Sequence, residues 1–183
     1  MNKITNRNMQ LKDIDAVDQI RQKSWVDSYV SVEQGVTADL INDYFAYRRK
    51  KGNPAEKIKR IQAMIDDTNI YTKVAQNQND KVIGMIIGEK TSPTLATLRS
   101  LYLEPSYIGK GNGRLLMDGF IEWQGNGFEC DLFVVGYNKR AIDFYKKYGF
   151  EISSNKPTKE AHLDDTHPLV DKMKVIRMTR KTN

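Results

Sequence analysis

Ile108-Gly109-Lys110-Gly111-Asn112-Gly113-Arg114 is the stretch of this chain best equipped to hold a charged ligand. Glycines at 109, 111 and 113 let the backbone turn tightly and aim successive N–H groups at one point. Leu115, Leu116, Gly119, Phe120 and Trp123 follow on one helical face, so the turn opens a helix. The first N–H groups of a helix lack internal partners and sit at the positive end of its dipole. Phosphate is the natural occupant of such a turn, with Lys110 and Arg114 adding charge. A glycine-rich connection that merely redirects the chain is the competing reading of this segment alone. The Lys-Ser/Thr ending of a nucleotide P-loop is missing. The strand before the turn closes a meander instead of opening a βαβ unit, so a Rossmann fingerprint fits poorly.

The other reactive side chains are few. Cys130 is the single cysteine, and with only His162 and His167 beside it a Cys/His metal cluster is excluded. Cys130 lies in the apolar run Cys130–Val135, where a buried, inert thiol is expected. Tyr145 is flanked by Phe144 and Tyr148, and read alone it is one of several aromatics packing a helix.

The elements that must position these groups follow from periodicity. Ile14, Val17, Ile20 and Trp25 mark an amphipathic helix over 13–26. Thr37 is a fitting N-cap for a second, with Leu40, Ile41, Tyr44 and Phe45 in one stripe before Gly52. Pro54 starts a third, carrying Ile58, Ile61 and Ile65. Residues 70–76, 82–89 and 95–103 are β-prone runs separated by polar turns, an antiparallel meander. A helix over 112–124, a strand over 130–135, a helix over 138–148 ended by Gly149, and strands near 150–153 and 173–179 complete the chain. The expected class is α/β (α+β): a mixed, mainly antiparallel sheet of about six to seven strands with helices on both faces, in one domain over 1–183.

With 183 residues, 39% apolar and 28% charged, the composition is that of a globular protein able to bury a sizeable core without disulfides. No apolar run reaches the ~20 residues of a membrane span, and residues 1–7 lack the apolar core of a signal peptide. A cytoplasmic location is expected. The net charge of +6 is concentrated in Arg48–Arg60, which holds seven basic residues and one acid. A solvated helix face explains such a run better than nucleic acid does, because no nucleic-acid motif accompanies it.

Residues 108–113 and 138–150 together resemble the GNAT superfamily of coenzyme A-dependent N-acetyltransferases, over about residues 4–179. The family carries Arg/Gln-x-x-Gly-x-Gly/Ala at the start of its third main helix. Here Gly111 and Gly113 match and Ile108 replaces the Arg or Gln. The second block is similar to Asn138–Phe150, with an Asn, an Ala, a Tyr and a closing Gly-Phe at the family spacing.

The resemblance implies acetyl-CoA as acetyl donor, a primary amine of a small molecule (polyamine-like or other) or of a protein as acceptor, and no metal. It further implies that strands ending near Leu103 and Val135 splay apart, so that the pantetheine arm lies between them like an added strand. Main-chain groups of Leu101 and Leu103, with Tyr102 between them, would line that arm. The amides of Gly109, Lys110, Gly111, Asn112, Gly113 and Arg114, with Ile108 beside them in the coenzyme site, would take the pyrophosphate, and Asn138 would bond the arm further along. Tyr145 matches the tyrosine that points at the coenzyme sulfur, and an amide near Leu101 would stabilise the oxyanion. The acceptor pocket would lie near residues 25–45 and the polar stretch 154–171, which holds both histidines. The resemblance also allows a homodimer.

Acetyl transfer needs a neutral amine. Freeing one of pKa ~10.4 at pH 7 costs about 4.6 kcal/mol. Histone-acetylating relatives place a Glu at the position of Thr97, which cannot serve as base; Glu104, a loop carboxylate, is a weak substitute, and the base stays unassigned. The missing Glu leaves open a coenzyme-binding or partner-binding module without chemistry.

Overall fold

The computed structural model describes residues 4–158 and 166–182. Its strands β1 (Thr5–Asn8), β2 (Ile70–Gln76), β3 (Val82–Lys90), β4 (Leu95–Leu103), β5 (Glu129–Val135), β6 (Glu151–Thr158) and β7 (Val175–Arg180) form one seven-stranded sheet in the order β1-β2-β3-β4-β5-β7-β6. Every neighbouring pair is antiparallel except β4 and β5, which run parallel. The helices are α1 (Ile14–Tyr29), α2 (Ala38–Lys51), α3 (Pro54–Asp66), α4 (Asn112–Gln124), α5 (Lys139–Lys146) and α6 (Pro168–Lys172). The expected class and its mainly antiparallel sheet are both observed.

The two faces bury different cores. Leu116, Met117 and Phe120 of α4 and Ile142 and Tyr145 of α5 pack with Ala96, Leu98, Cys130 and Leu132 on one face. On the other, Val17 and Ile20 of α1 meet Val74, Met85 and Ile87, while Trp25, Ile41, Tyr44 and Phe45 join Val135, Leu169 and Val175. Burying each such aliphatic or aromatic side chain is worth about 1.5–3 kcal/mol. Gly88 is required by this packing: an added Cβ would lie 2.1 Å from Cε2 of Phe120.

Several signals read from the sequence hold at atomic detail. The Thr37 side chain accepts from Leu40 N, and Gly52 closes α2. Others change. Leu115 is 37% exposed, so the buried face of α4 runs through Leu116, Met117 and Phe120. The four polar residues of β1 give no apolar alternation, and their strand pairing comes from the neighbouring Val74 and Ala75 backbone. The stretch 154–171 is not all loop. Strand β6 extends to Thr158, and Pro168–Lys172 form α6, capped by a buried His167 whose Nδ1 accepts from Leu169 N and whose Nε2 faces Asp43 at 3.1 Å. His167 is therefore a structural residue. His162 lies outside the described residues.

The basic run is largely tied down. Arg48 stacks over Tyr44, Arg49 donates to Gln22, Lys51 to the Tyr47 hydroxyl, and Lys57 pairs with Asp18. Four of its cations occupy the last turn of α2, where they favour the helix dipole.

The feature that opens the molecule is a bulge. Ile87 pairs with Ser100 but Gly88 pairs with Leu98, so Arg99 is an extra residue in β4. A bulge bends its strand and tightens the twist. Pairing of β4 with β5 stops at Leu98 opposite Leu132, the residue before it. Beyond that point β4 follows β3 to Leu103 and β5 follows β7 to Val135, and the two diverge.

Candidate active site

The divergence leaves both inner edges unpaired. Glu104 N donates to Ile83 O at 2.8 Å, and antiparallel bonding alternates along the strand, so Tyr102 and Ser100 exchange bonds with β3. The N–H and C=O groups of Leu101 and Leu103 consequently face the gap. The same count on the other side starts from Gly136 N bonded to Lys174 O, and turns the main chain of Phe133 toward the gap. Unpaired strand groups call for a partner. A strand-like ligand of one chain's width is what this gap accommodates.

The gap is part of a cleft of about 830 Å³ that passes through the sheet. On the α4/α5 face it is lined by Gly109, Gly111, Gly113, Asn138, Phe144 and Tyr145, and on the α1 face by Ser24, Ser28, Tyr29, Tyr102 and Phe133. Of the residues singled out from the sequence, Leu101, Leu103, Ile108, Arg114 and Tyr145 also line it, whereas Glu104 does not; its carboxylate takes Lys23 Nζ at 2.8 Å.

At the mouth, Gly109 and Gly111 have φ of +77° and +81°, a conformation that favours glycine. Gly113 does not need it: it lies in α4 with an ordinary φ, and a Cβ there would sit 3.6 Å from Leu103 and Phe144. The first helical amides with a backbone acceptor are those of Arg114 and Leu115, both to Gly111 O. The amides of Gly109 to Gly113 thus have no backbone acceptor among the described residues, while that of Arg114 is already bonded. A Cβ added at Gly109 or Gly111 meets no atom within 4 Å, so the space before those amides is open and suits a pyrophosphate. Ile108 packs with Tyr107 on the main core in place of a polar anchor, and Asn112 Nδ2 ties the turn to Tyr107 O at 2.9 Å. Arg114 is exposed beside Asp118, which also accepts from the Tyr148 hydroxyl at 2.7 Å.

Deeper in, Asn138 caps α5, its Oδ1 accepting from Ala141 N at 3.1 Å, which leaves the side-chain NH2 to donate into the cleft. Tyr145 is buried among Phe144, Phe150 and Ile142. Burial pushes its hydroxyl pKa well above the ordinary tyrosine value, reinforced by Tyr102 and Cys130. The hydroxyl stays protonated, and among the described residues no protein group engages it. Cys130 is equally inert, its thiol pushed up to about 12 by burial and by Asp131.

Two tethers reach α1, one from α5 and one from the turn that precedes it. Arg140 Nη2 contacts Asp27 Oδ2 at 2.6 Å and Ser28 Oγ at 2.8 Å, and the Tyr137 hydroxyl donates to Tyr29 O at 2.9 Å. Burial raises the Tyr137 hydroxyl to about 12, which keeps that bond intact. Thr97 Oγ1 donates to Asp131 Oδ1 at 2.6 Å, and Arg177 holds the other oxygen at 2.7 Å. The residues that sequence reasoning passed over, Ser24, Ser28, Arg99, Phe133 and Arg140, come from α1, β4, β5 and α5. The charged Asp131 inside an apolar strand was the one sign that the face it shares with Phe133 is not uniformly core.

Residues 67–152, which contain the meander, the cradle, α4, β5 and α5, match the acetyltransferase (GNAT) domain family. Over that stretch the chain is similar to GNAT acetyltransferases. No curated protein sequence matches the chain. Among solved structures it is similar to the PaiA N-acetyltransferase from Thermoplasma acidophilum in complex with coenzyme A, with a TM-score of 0.69 at 22% identity over 98% of this chain and 99% of that one. Ard1 from Thermoplasma volcanium gives 0.63 at 26% over 98% of each chain. A chimera of the spermidine N-acetyltransferase SpeG from Vibrio cholerae and hSSAT gives 0.64 at 15%, over 97% of this chain and 94% of that chain.

Proposed function

We propose that the protein moves an acetyl group from acetyl-CoA to a primary amine, carried by a small molecule or by a protein. The observation that carries this reading is the unpaired gap between β4 and β5, with a ring of free amides at one end and a protonated, unengaged tyrosine within. When bound, acetyl-CoA supplies a thioester whose carbonyl carbon gains a bond to the amine nitrogen as its bond to sulfur breaks.

The chain's own groups have separable tasks. Main-chain groups of Leu101 and Leu103 hold the pantetheine arm in strand register, and the amides of Gly109 to Gly113 hold the pyrophosphate. The Leu101 N–H points into the gap, where it can stabilise negative charge on a carbonyl oxygen. Tyr145 donates to the leaving sulfur. With ordinary values of ~10 for tyrosine and ~8.5 for a thiol, full transfer is uphill by about 2 kcal/mol, and the upward shift of Tyr145 makes hydrogen bonding its larger contribution. The amine proton leaves to water, since Asp118 and Asp143, the only carboxylates lining the cleft among the described residues, sit on α4 and α5.

Binding of acetyl-CoA followed by thiol release with a broad amine panel tests the proposal. Absence of acetyl-CoA binding would sink it. Tight binding without turnover would favour a coenzyme-binding module, a reading supported by the commitment of Thr97 to Asp131 at the position where relatives place a carboxylate base.

A further inference from the structure

Phe133 is 47% exposed in the middle of a central strand whose other apolar residues, Cys130, Leu132, Val134 and Val135, are buried. Alternation along β5 puts it on the α1 face with Asp131 and Val135. On one side β4 has already departed at Leu98; on the other its neighbour in β7 is Arg177. Its ring therefore floors the cleft on the side opposite Tyr145, at the level where the two strands separate. Such an apolar surface inside a cleft is what a ligand covers.

The charges around it are already matched. Arg177 is held by Asp131, Arg99 pairs with Glu89, and Arg140 with Asp27. The remaining lining on this face is hydroxyl or aromatic: Ser24, Ser28, Tyr29, Ser100 and Tyr102. Among the described residues no carboxylate lines this half of the cleft, so none of them is placed to receive a second or third ammonium group.

We infer that Phe133 determines acceptor specificity, and that the acceptor is a monoamine with a flat, apolar body, not a polyamine. The inference rests on the acetyl-transfer reading of the same cleft. Seated on Phe133, the body of the acceptor brings its amine up to the gap between Leu98 and Leu132. Contact with the Phe133 ring disfavours the ammonium form and lowers the amine pKa, which eases the loss of a proton where none of the described residues supplies a carboxylate base.

The test uses the full chain, acetyl-CoA and two acceptors, 2-phenylethylamine and spermidine, with thiol release as readout. Acetyl-CoA affinity is measured separately by calorimetry. The expected result is a kcat/KM for 2-phenylethylamine at least about tenfold above that for spermidine. Phe133→Ala should lower the former about tenfold or more, mainly through KM, with acetyl-CoA affinity unchanged. Phe133→Leu keeps apolar bulk if the alanine variant folds poorly, and should retain part of the preference; Phe133→Glu should shift it toward spermidine. A wild-type preference for spermidine overturns the inference while leaving acetyl transfer standing, and so does an equal effect of Phe133→Leu on both amines. Failure of the wild type to bind acetyl-CoA removes the transfer reading and this inference with it.

Discussion

The two halves of the cleft are built in different ways. The half proposed to hold coenzyme is mostly backbone: amides of Gly109 to Gly113 from one continuous turn, and main-chain edges of Leu101 and Leu103 exposed by a bulge at Arg99. The half proposed to hold the acceptor is side chains from distant elements, Ser24 and Ser28 of α1, Tyr102 of β4 and Phe133 of β5. Backbone recognition asks little of residue identity beyond glycine where φ is positive. Side-chain recognition asks for particular residues, each on its own element. A change in the first half should thus act on coenzyme binding through conformation, and a change in the second should act on which amine reacts.

The largest expected effect is on the cradle. Gly111→Val forces a branched side chain into a φ of +81°, at a strain of about 1–3 kcal/mol, and fills the open space before the amides. Because the new Cβ meets no protein atom within 4 Å, the chain should still fold. Acetyl-CoA affinity measured by calorimetry should fall more than about a hundredfold, roughly 2.7 kcal/mol. Unchanged affinity in a folded variant would move the phosphate site elsewhere.

Next in size is Tyr145→Phe, which keeps the ring and its packing against Phe144 and Phe150. Removing the donor to sulfur should lower kcat about a hundredfold with coenzyme affinity preserved. The pH dependence sharpens the point. With the Tyr145 pKa raised by burial, the hydroxyl does not ionise between pH 6 and 9. The kcat profile of the variant should therefore be lower at every pH but unchanged in shape. Loss of a basic limb in the variant would show that Tyr145 does titrate.

The contrast between the halves also explains what the sequence disclosed. The glycine turn and the helix it opens were legible because their signals are local: the glycines, Lys110 and the apolar stripe after them are adjacent in the chain. The divergence of β4 and β5 was accessible only through the family resemblance, since no residue pattern at Arg99 announces a bulge. The acceptor side stayed illegible. Phe133 in Cys130–Val135 reads as core, and its exposure follows from β4 leaving its side, a consequence of topology. Arg140 meets Asp27 across 113 positions, and α6 is too short for periodicity to mark. Gly113 was over-read for a complementary reason: its motif position suggested a need for glycine that its conformation in α4 does not impose.

A smaller effect is expected at Asn138, which serves both fold and ligand. Asn138→Ala removes the bond to Ala141 N, and loss of such a cap costs about 1 kcal/mol. For a domain of this size that lowers Tm by about 2–4 °C in a thermal melt. Loss of the donor into the gap should raise KM for acetyl-CoA a few-fold, with kcat nearly unchanged. A kcat loss as large as that of Tyr145→Phe would place Asn138 at the reacting atoms instead of along the arm.

The smallest effect separates geometry from motif within the cradle. Gly113 stands two residues from Gly111 but already in α4, where alanine is favoured over glycine by about 0.8–1 kcal/mol in a helix interior and by less in the first turn. The Cβ of Gly113→Ala would make ordinary contacts at 3.6 Å with Leu103 and Phe144. Its amide would keep its place facing the phosphate. Coenzyme affinity should stay within about threefold of wild type, and Tm should hold or rise slightly. A loss comparable to that of Gly111→Val would mean that the ligand approaches the Cα of Gly113 itself, and the pyrophosphate would then sit deeper, against the first turn of α4, than the open space before Gly109 and Gly111 implies.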